Sequence, residues 1–180
     1  MSDYYTGNGD DGYTNLIGLN RIPKDNPLID AIGELDMLNS ILGVVKIYVE
    51  DSNKDIIYRL QNDLFRIGAE LAIRNKSNMK TNRISKEDTD YIERQIDELS
   101  KDLPKLTKFV LPGGCEASAY LHLARAYART LERKLVRLYN SSIIDNKSIL
   151  SYINRLSSLL FVMALYENYK RGITESNPSY

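Results

Sequence analysis

Four charged side chains fall on one face of a predicted helix that runs from about Glu116 to Tyr139. On a helical wheel with roughly 100° per residue, this face carries Ser118, His122, Arg125, Arg129, Glu132 and Arg133. Guanidinium groups make forked hydrogen bonds to phosphate oxygens, so the row could hold a triphosphate while Glu132 fixes the arginine rotamers. A solvated stripe of salt bridges would give the same pattern, and the spacing alone does not choose between them.

His122 is the one histidine of the chain. A lone histidine on a helix is more often packed or hydrogen-bonded than a metal ligand. Because no second histidine exists to complete a metal site, the sequence predicts no histidine-based metal centre. A separate face of the same helix carries Tyr127, Thr130, Lys134 and Arg137, and we interpret it as an ordinary solvated face.

Closely spaced glycines mark the amino-terminal arm, which reads T-G-N-G-D-D-G-Y-T from Thr6 to Thr14. Glycine admits backbone conformations in which successive N–H groups point inward and form a nest for an anion. Two threonine hydroxyls and the ammonium group of Lys24 add to this polar character. The arm lacks the P-loop pattern, and a disordered terminus would look similar, so both interpretations stay open.

Two other predicted helices also carry polar strips. Asp36 and Asn39 lie three residues apart with Gly43 on the same side, which would let another helix approach closely or offer Asp36 to an arginine elsewhere. One face of the last helix carries Asn154, Ser158 and Phe161. Its asparagine could bond a base, a ribose, a phosphate or a neighbouring helix.

Five helices must position these residues. Apolar residues recur at three- and four-residue steps from Pro27 to Val49 and from about Ser148 to Tyr169. Capping signatures at Ser52 and Ser85 begin the second and third helices, and the polar run over residues 75–83 between them predicts a mobile loop. No segment alternates with period two. The predicted fold class is all-α, a five-helix up-and-down bundle preceded by an irregular glycine-containing amino-terminal arm.

Composition narrows the class of protein. The 180 residues suit one domain, divided into an arm over residues 1–26, a bundle over 27–172 and a tail over 173–180. Lysine plus arginine balance aspartate plus glutamate at 24 each, so bulk charge predicts no nucleic-acid partner. The single cysteine excludes an intramolecular disulfide and fits a reducing compartment. With no basic leader and no long apolar run, we expect a soluble cytoplasmic protein without a membrane partner.

Read in order, five of these elements resemble the PduO-type ATP:cob(I)alamin adenosyltransferases over about residues 4 to 170. The arm from Tyr5 to Thr14, followed by Arg21 and Lys24, is similar to the family's ATP-binding terminus. The segments L-D-M-L-N, F-V-L-P-G-G and L-H-L-A-R, then Arg129, Glu132 and Arg133, resemble its next three motifs. The run N-R-L-S followed by Leu160 and Phe161 resembles the closing helix.

The resemblance implies a role for each matched position. ATP would lie in the arm and against two helices, near Thr6, Gly7, Asn8, Gly9, Thr14, Asn15, Lys24, Arg129, Glu132, Arg133 and Asn154. Asp36 and Arg125 look like the family's inter-subunit ion pair, within a homotrimer whose active sites lie between subunits. Phe109 corresponds to the aromatic residue that displaces the lower axial ligand of cobalamin and leaves a four-coordinate cobalt.

The implied reaction transfers the 5′-deoxyadenosyl group of ATP to the cobalt of cob(I)alamin. ATP and cobalamin would be the substrates, and the phosphates would carry Mg²⁺. A corrinoid reductase and an adenosylcobalamin-dependent enzyme are implied partners.

The sequence departs from the usual family pattern at Gly7, Met37, Thr130, Ser158 and Leu165, so the phosphate site is less basic than expected. A non-catalytic carrier of nucleotide or corrinoid with the same fold is therefore the alternative function.

Overall fold

The computed structural model describes residues 4–73 and 82–179 and contains five helices in this part of the chain. They are α1 (Pro27–Tyr48), α2 (Asp51–Ala72), α3 (Lys86–Ser100), α4 (Glu116–Asn140) and α5 (Lys147–Lys170). The predicted five-helix, all-α class is confirmed. Most of the loop predicted over residues 75–83 lies outside the described residues.

The arm contains a small hairpin that the sequence analysis missed. Strands β1 (Tyr13–Leu16) and β2 (Leu19–Pro23) pair antiparallel, with an irregularity in register between Thr14 and Leu16. Gly18 reverses the chain between them with a φ of 83°, which glycine adopts without strain. The prediction of a wholly irregular arm was wrong, because strands this short and with an interrupted register show no clear period-two pattern.

The helix starts show how local sequence sets the boundaries. Asn26 caps α1 by accepting a hydrogen bond from the N–H of Leu28, and Ser85 begins α3 with the predicted capping box. The cap predicted at Ser52 was wrong, because α2 begins at Asp51. The N–H of Glu50, just before α2, instead donates to the buried carboxylate of Glu167 in α5.

Helix α4 lies at the centre of the contacts between helices. It packs against α1 and α5, while α2 packs on α1 and α3 packs on α5. The core face predicted for α4 is fully buried, with Leu121, Ala124, Ala128, Leu131, Leu135 and Leu138 in the apolar cluster. With its apolar side fixed in this way, α4 presents its remaining faces at defined orientations.

A buried polar network ties α3 to the bundle. Asp63 of α2 accepts hydrogen bonds from Arg66 and from the buried hydroxyl of Tyr152, at 2.8 and 3.0 Å. Asp88 of α3 pairs with the same Arg66 and with Arg59, at 2.9 and 3.0 Å. Because each buried carboxylate has a cationic partner, the charges are compensated inside the bundle.

Helix α5 contains a long apolar window with few charged residues. Its length and composition would suit a membrane span, but more than half of the apolar window is buried inside the protein. Tyr152, Ile153, Leu156 and Leu160 are fully buried against the other helices. This is the pattern of a core helix in a soluble protein.

Candidate active site

The three predicted arginines of α4 have no carboxylate partner among the residues that the structure describes. Arg125 is half-buried, its Nε is buried without a hydrogen bond, and its Cζ lies 5.9 Å from the centre of the Phe161 ring. Arg129 is exposed, and Arg133 donates to the hydroxyl of Thr130 at 3.1 Å. The row is therefore not a stripe of intrachain salt bridges, and its positive charge is available to a partner or ligand.

Glu132 does not orient the arginines as the sequence predicts. Its Oε1 accepts a hydrogen bond of 2.8 Å from the amide of Asn154 on α5. The side-chain Oδ1 of Asn154 accepts a hydrogen bond from Arg155, which pairs with Glu93 of α3 at 2.7 Å. Because the Glu132 carboxylate bonds to Asn154 and to no arginine of α4 in the described ranges, the prediction that it fixes their rotamers was wrong. The chain of bonds instead fixes the α4 and α5 polar groups relative to each other.

The amino-terminal part of the same α4 face is buried. Ser118 is fully buried, and His122 is only 3% exposed. Neither nitrogen of the imidazole has a hydrogen-bond partner within the described chain, and the ring meets Phe161 edge to face at 5.9 Å. Burial, with a smaller contribution from the charge of Arg125, lowers the pKa of His122 from 6.5 to about 4. The imidazole is therefore neutral at physiological pH.

The face of α4 that we predicted to be solvated is partly in contact with α1. Lys134 donates to Asp30 at 2.7 Å and to Glu34 at 2.8 Å, and Tyr127 is half-buried against the core. Sequence spacing could not show this, because the two carboxylates lie about 100 residues away along the chain. Lys134 thus stabilises the α1–α4 packing and is not available to a ligand.

The polar strip of α1 divides into two parts. Asn39 and Gln61 of α2 each donate to the other's backbone carbonyl, at 3.5 and 3.3 Å, and Gly43 lies beside the same Gln61. Asp36 is exposed, and no described residue of the chain bonds to its carboxylate. One part of the strip therefore serves the α1–α2 contact and the other faces outward.

Part of the predicted ATP arm lines a polar hollow of about 360 Å³. Its lining includes four predicted residues, Asn8, Gly9, Thr14 and Asn15. Lys24 lies next to it and donates to the carbonyl of Gly9 at 2.8 Å. Thr6 and Gly7 lie outside the hollow, where the Thr6 hydroxyl accepts from the N–H of Asn8 at 3.2 Å.

Three further residues line this hollow and were not among the predicted site residues. Arg21 pairs with Asp11 at 3.0 Å, and its Cζ lies 4.3 Å from the centre of the Tyr13 ring. The N–H of Arg21 donates to the side chain of Asn15 at 2.8 Å, and its φ of 56° lies in the left-handed region. Such backbone strain in a residue other than glycine is a feature of functional sites. Arginine beside the glycine-rich motif was the available sequence signal.

Phe109 lies on the connection between α3 and α4. Its ring is 78% exposed and borders a hollow of about 610 Å³ together with Leu106, Lys108 and Pro178. The carbonyl of Phe109 accepts a hydrogen bond of 2.8 Å from the side chain of Asn177. The backbone is therefore held while the ring remains available for contact.

The predicted residues thus form three groups in one chain, the arm, the α4–α5 polar face and the Phe109 loop, while Asp36 lies apart from them on α1. Glu132 and Asn154 are brought into contact. No hydrogen bond or ion pair in the described ranges joins the arm to the α4 arginines, or Asp36 to Arg125. In the same ranges, no cluster of three His, Cys, Asp or Glu side chains could hold a metal ion.

The chain is similar in sequence to known proteins of one family. The family model for cobalamin adenosyltransferase matches residues 4–167. The corrinoid adenosyltransferase of Bacillus subtilis is 35% identical over 175 residues, covering 94% of this chain and 88% of the relative. The corrinoid adenosyltransferase PduO of Salmonella typhimurium is 37% identical over 166 residues, and the match spans 91% of this chain and 49% of the relative.

Solved structures give the same result. A point variant of a PduO-type ATP:corrinoid adenosyltransferase from Lactobacillus reuteri, complexed with cobalamin and ATP, superimposes with a TM-score of 0.91 at 32% identity. The match covers 98% of this chain and 96% of that one. A second variant of the Lactobacillus reuteri protein, complexed with ATP, gives a TM-score of 0.88 at the same identity.

The buried His122 predicts a specific dependence of stability on pH. Its folded pKa lies below its unfolded value, so the unfolded state binds the proton more readily and stability is lost as pH falls from about 6.5 to about 4. Over this window we expect the wild type to lose about 2 to 3 kcal/mol more free energy of unfolding than His122→Leu. Urea titrations at matched protein concentration measure the difference, and parallel pH profiles would contradict it.

Proposed function

The chain belongs to the cobalamin adenosyltransferase family and is an ATP-dependent corrinoid adenosyltransferase, and we propose that two neighbouring copies of it form each active site. The enzyme transfers the 5′-deoxyadenosyl group of ATP to the cobalt of cob(I)alamin. The main support for this proposal is the row of arginines on α4, which have no carboxylate partners in the described chain.

ATP occupies a site formed by the arm of one copy and by the polar face of α4 and α5 in the neighbouring copy. The triphosphate lies near Arg129 and Arg133, because charge-assisted contacts from arginine are the strongest available to phosphate oxygens. Thr6, Gly7, Asn8, Gly9, Thr14, Asn15 and Lys24 surround the nucleotide from the arm, and Glu132 and Asn154 complete the site. Mg²⁺ is carried by the phosphates and their waters.

We invoke a second copy because no hydrogen bond or ion pair in the described ranges joins the arm to the α4 arginines within one chain. Asp36 of one copy pairs with Arg125 of its neighbour, in a homotrimer. Two features support this pairing: the carboxylate is exposed without a described partner, and the guanidinium has a buried Nε without a hydrogen bond. A half-buried cation of this kind is compensated most readily by a carboxylate from outside the chain.

Phe109 contacts the corrinoid at the lower face of cobalt. Its exposed ring, held by a fixed backbone, excludes water and the lower axial ligand. A cobalt ion without that ligand is four-coordinate and easier to reduce. We place the Asp36–Arg125 pair on the same, corrinoid side of the reaction as Phe109.

The chemical step is a displacement at the 5′ carbon of ATP. The electron pair of cob(I)alamin forms the cobalt–carbon bond, while the bond from carbon to the phosphate oxygen breaks and triphosphate leaves with that pair of electrons. No general base is needed, because no proton moves. The protein aligns the two substrates, neutralises the charge on triphosphate and excludes water.

Two of the five departures from the family pattern are accommodated within the fold. Thr130 accepts a hydrogen bond from Arg133, and Leu165 is buried. We further propose a cytoplasmic location, which suits the buried free thiol of Cys115, with a corrinoid reductase and an adenosylcobalamin-dependent enzyme as partners.

Removing Arg129 should impair transfer without disturbing the bundle. Its side chain is exposed and lies off the core face of α4, so Arg129→Ala should lose only a phosphate contact worth about 1.5 to 3 kcal/mol. We expect kcat/KM for ATP to fall roughly ten- to a hundredfold. Formation of adenosylcobalamin from ATP, Mg²⁺ and reduced cobalamin is followed by absorption. Arg137→Ala, at an exposed position near the end of the same helix, is the control and should retain wild-type rates.

Removing the Phe109 ring should separate cobalt reduction from adenosyl transfer. We expect Phe109→Ala to bind ATP normally, because the ring lies on the corrinoid side of the site. The variant should fail when cob(II)alamin must be reduced on the enzyme, yet retain much more activity when cob(I)alamin is supplied. Paired rate measurements and spectroscopy of bound cob(II)alamin test this expectation. Equal losses in both assays would refute the role given to Phe109.

A further inference from the structure

Asn168 of α5 is a buried side chain whose amide makes three hydrogen bonds at the base of the Phe109 loop. It is 1% exposed. Its Oδ1 accepts from the N–H of Cys115 at 2.9 Å, and its Nδ2 donates to the carbonyl of Gly113 and to the carboxylate of Glu175, both at 3.0 Å. One amide thus joins the loop, the start of α4 and the tail after α5.

Gly114 shows how closely the chain approaches this amide. A Cβ added at Gly114 would overlap the Asn168 side chain, and the φ of Gly114 is 104°. Only glycine meets both requirements without strain. The Gly113 carbonyl accepts a second hydrogen bond, of 2.9 Å, from the buried hydroxyl of Ser118. The turn that precedes α4 is therefore built around the Asn168 amide.

The tail extends this contact along the loop. The N–H of Leu111 donates to the carbonyl of Ser176 at 2.8 Å, and Asn177 bonds to the carbonyl of Phe109. The loop and the tail therefore run side by side from Gly113 to Phe109. Asn168 contacts both segments at one end of this pair.

We propose that Asn168 is a positioning residue that sets the location of the Phe109 ring. The exposed ring makes few contacts of its own, so the backbone that carries it must set its position. The Asn168 amide holds that backbone in two ways. It donates directly to the carbonyl of Gly113, and it donates to Glu175 of the tail, which pairs with the loop. This inference rests on the proposed role of Phe109 at cobalt.

Replacement of Asn168 should therefore act on cobalt reduction rather than on ATP. Asn168→Ala removes all three bonds. We expect at least a tenfold loss of rate from cob(II)alamin and a smaller four-coordinate fraction, but less than about a threefold loss from supplied cob(I)alamin. The Kd for ATP should stay within about twofold of wild type.

A milder variant keeps the test decisive if Asn168→Ala fails to fold. Glu175→Ala removes only the bond to the tail and leaves the bonds to Cys115 and Gly113, so its four-coordinate fraction should be intermediate. Asn168→Asp places a buried carboxylate beside that of Glu175, so its four-coordinate fraction should fall at least as far as that of Asn168→Ala. Gly114→Ala adds a methyl group that overlaps the Asn168 amide, so this variant should show the same preference for supplied cob(I)alamin. Wild-type four-coordinate fractions in the variants that fold would overturn the proposal.

Asn146→Ala is the matched control for a purely structural effect. Asn146 caps the opposite end of α5, and its side chain also makes three hydrogen bonds, accepting from Ser148 and donating to Glu70 and Ile84. This variant should lower Tm yet leave the four-coordinate fraction unchanged. The same loss of that fraction in Asn146→Ala would overturn the positioning role. If Phe109→Ala itself keeps the wild-type signal, the proposed function of Phe109 fails; if only the Asn168 variants keep it, this inference alone fails.

Discussion

The packing of α4 against α5 is the contact on which the rest of the structure depends. Both helices bury apolar residues along most of their length, from Leu121 to Leu138 in α4 and from Ile149 to Ala164 in α5. The polar groups at their edges therefore have fixed positions, and the bond from Asn154 to Glu132 crosses between the two helices. At the other end of the contact, Asn168 fixes the turn from which α4 begins. One interface thus sets the arginine row and the aromatic loop together.

Charge is distributed unequally over this framework. Where polar groups stabilise the bundle they are paired within the chain, as Lys134 is with two carboxylates of α1 and as Asp63 is with Arg66. On the outer face of α4 the guanidinium groups have no such carboxylates in the described chain, and the buried imidazole of His122 has no hydrogen-bond partner there. Unpaired buried polar atoms cost free energy. We infer that substrate and a second copy of the chain supply the missing partners.

The sequence predicts the helices well because each has a long apolar period and, for α3, a capping box that depends on adjacent residues alone. It fails where partners come from distant segments. Glu167 caps α2 from 117 residues away, and Asn154 rather than an arginine bonds to Glu132. Asn168 had no local signal, since its importance depends on a turn more than 50 residues earlier. The hairpin was missed because its strands have four and five residues.

The central claim is that each active site combines side chains from two copies, and co-expression of Asp36→Ala with Arg125→Ala tests it most directly. Either variant alone should transfer the adenosyl group slowly, because every interface lacks one member of the pair. In a random mixture about a quarter of the interfaces regain both native residues, so activity should recover to about a quarter of wild type. Activity no higher than that of the single variants would contradict shared active sites.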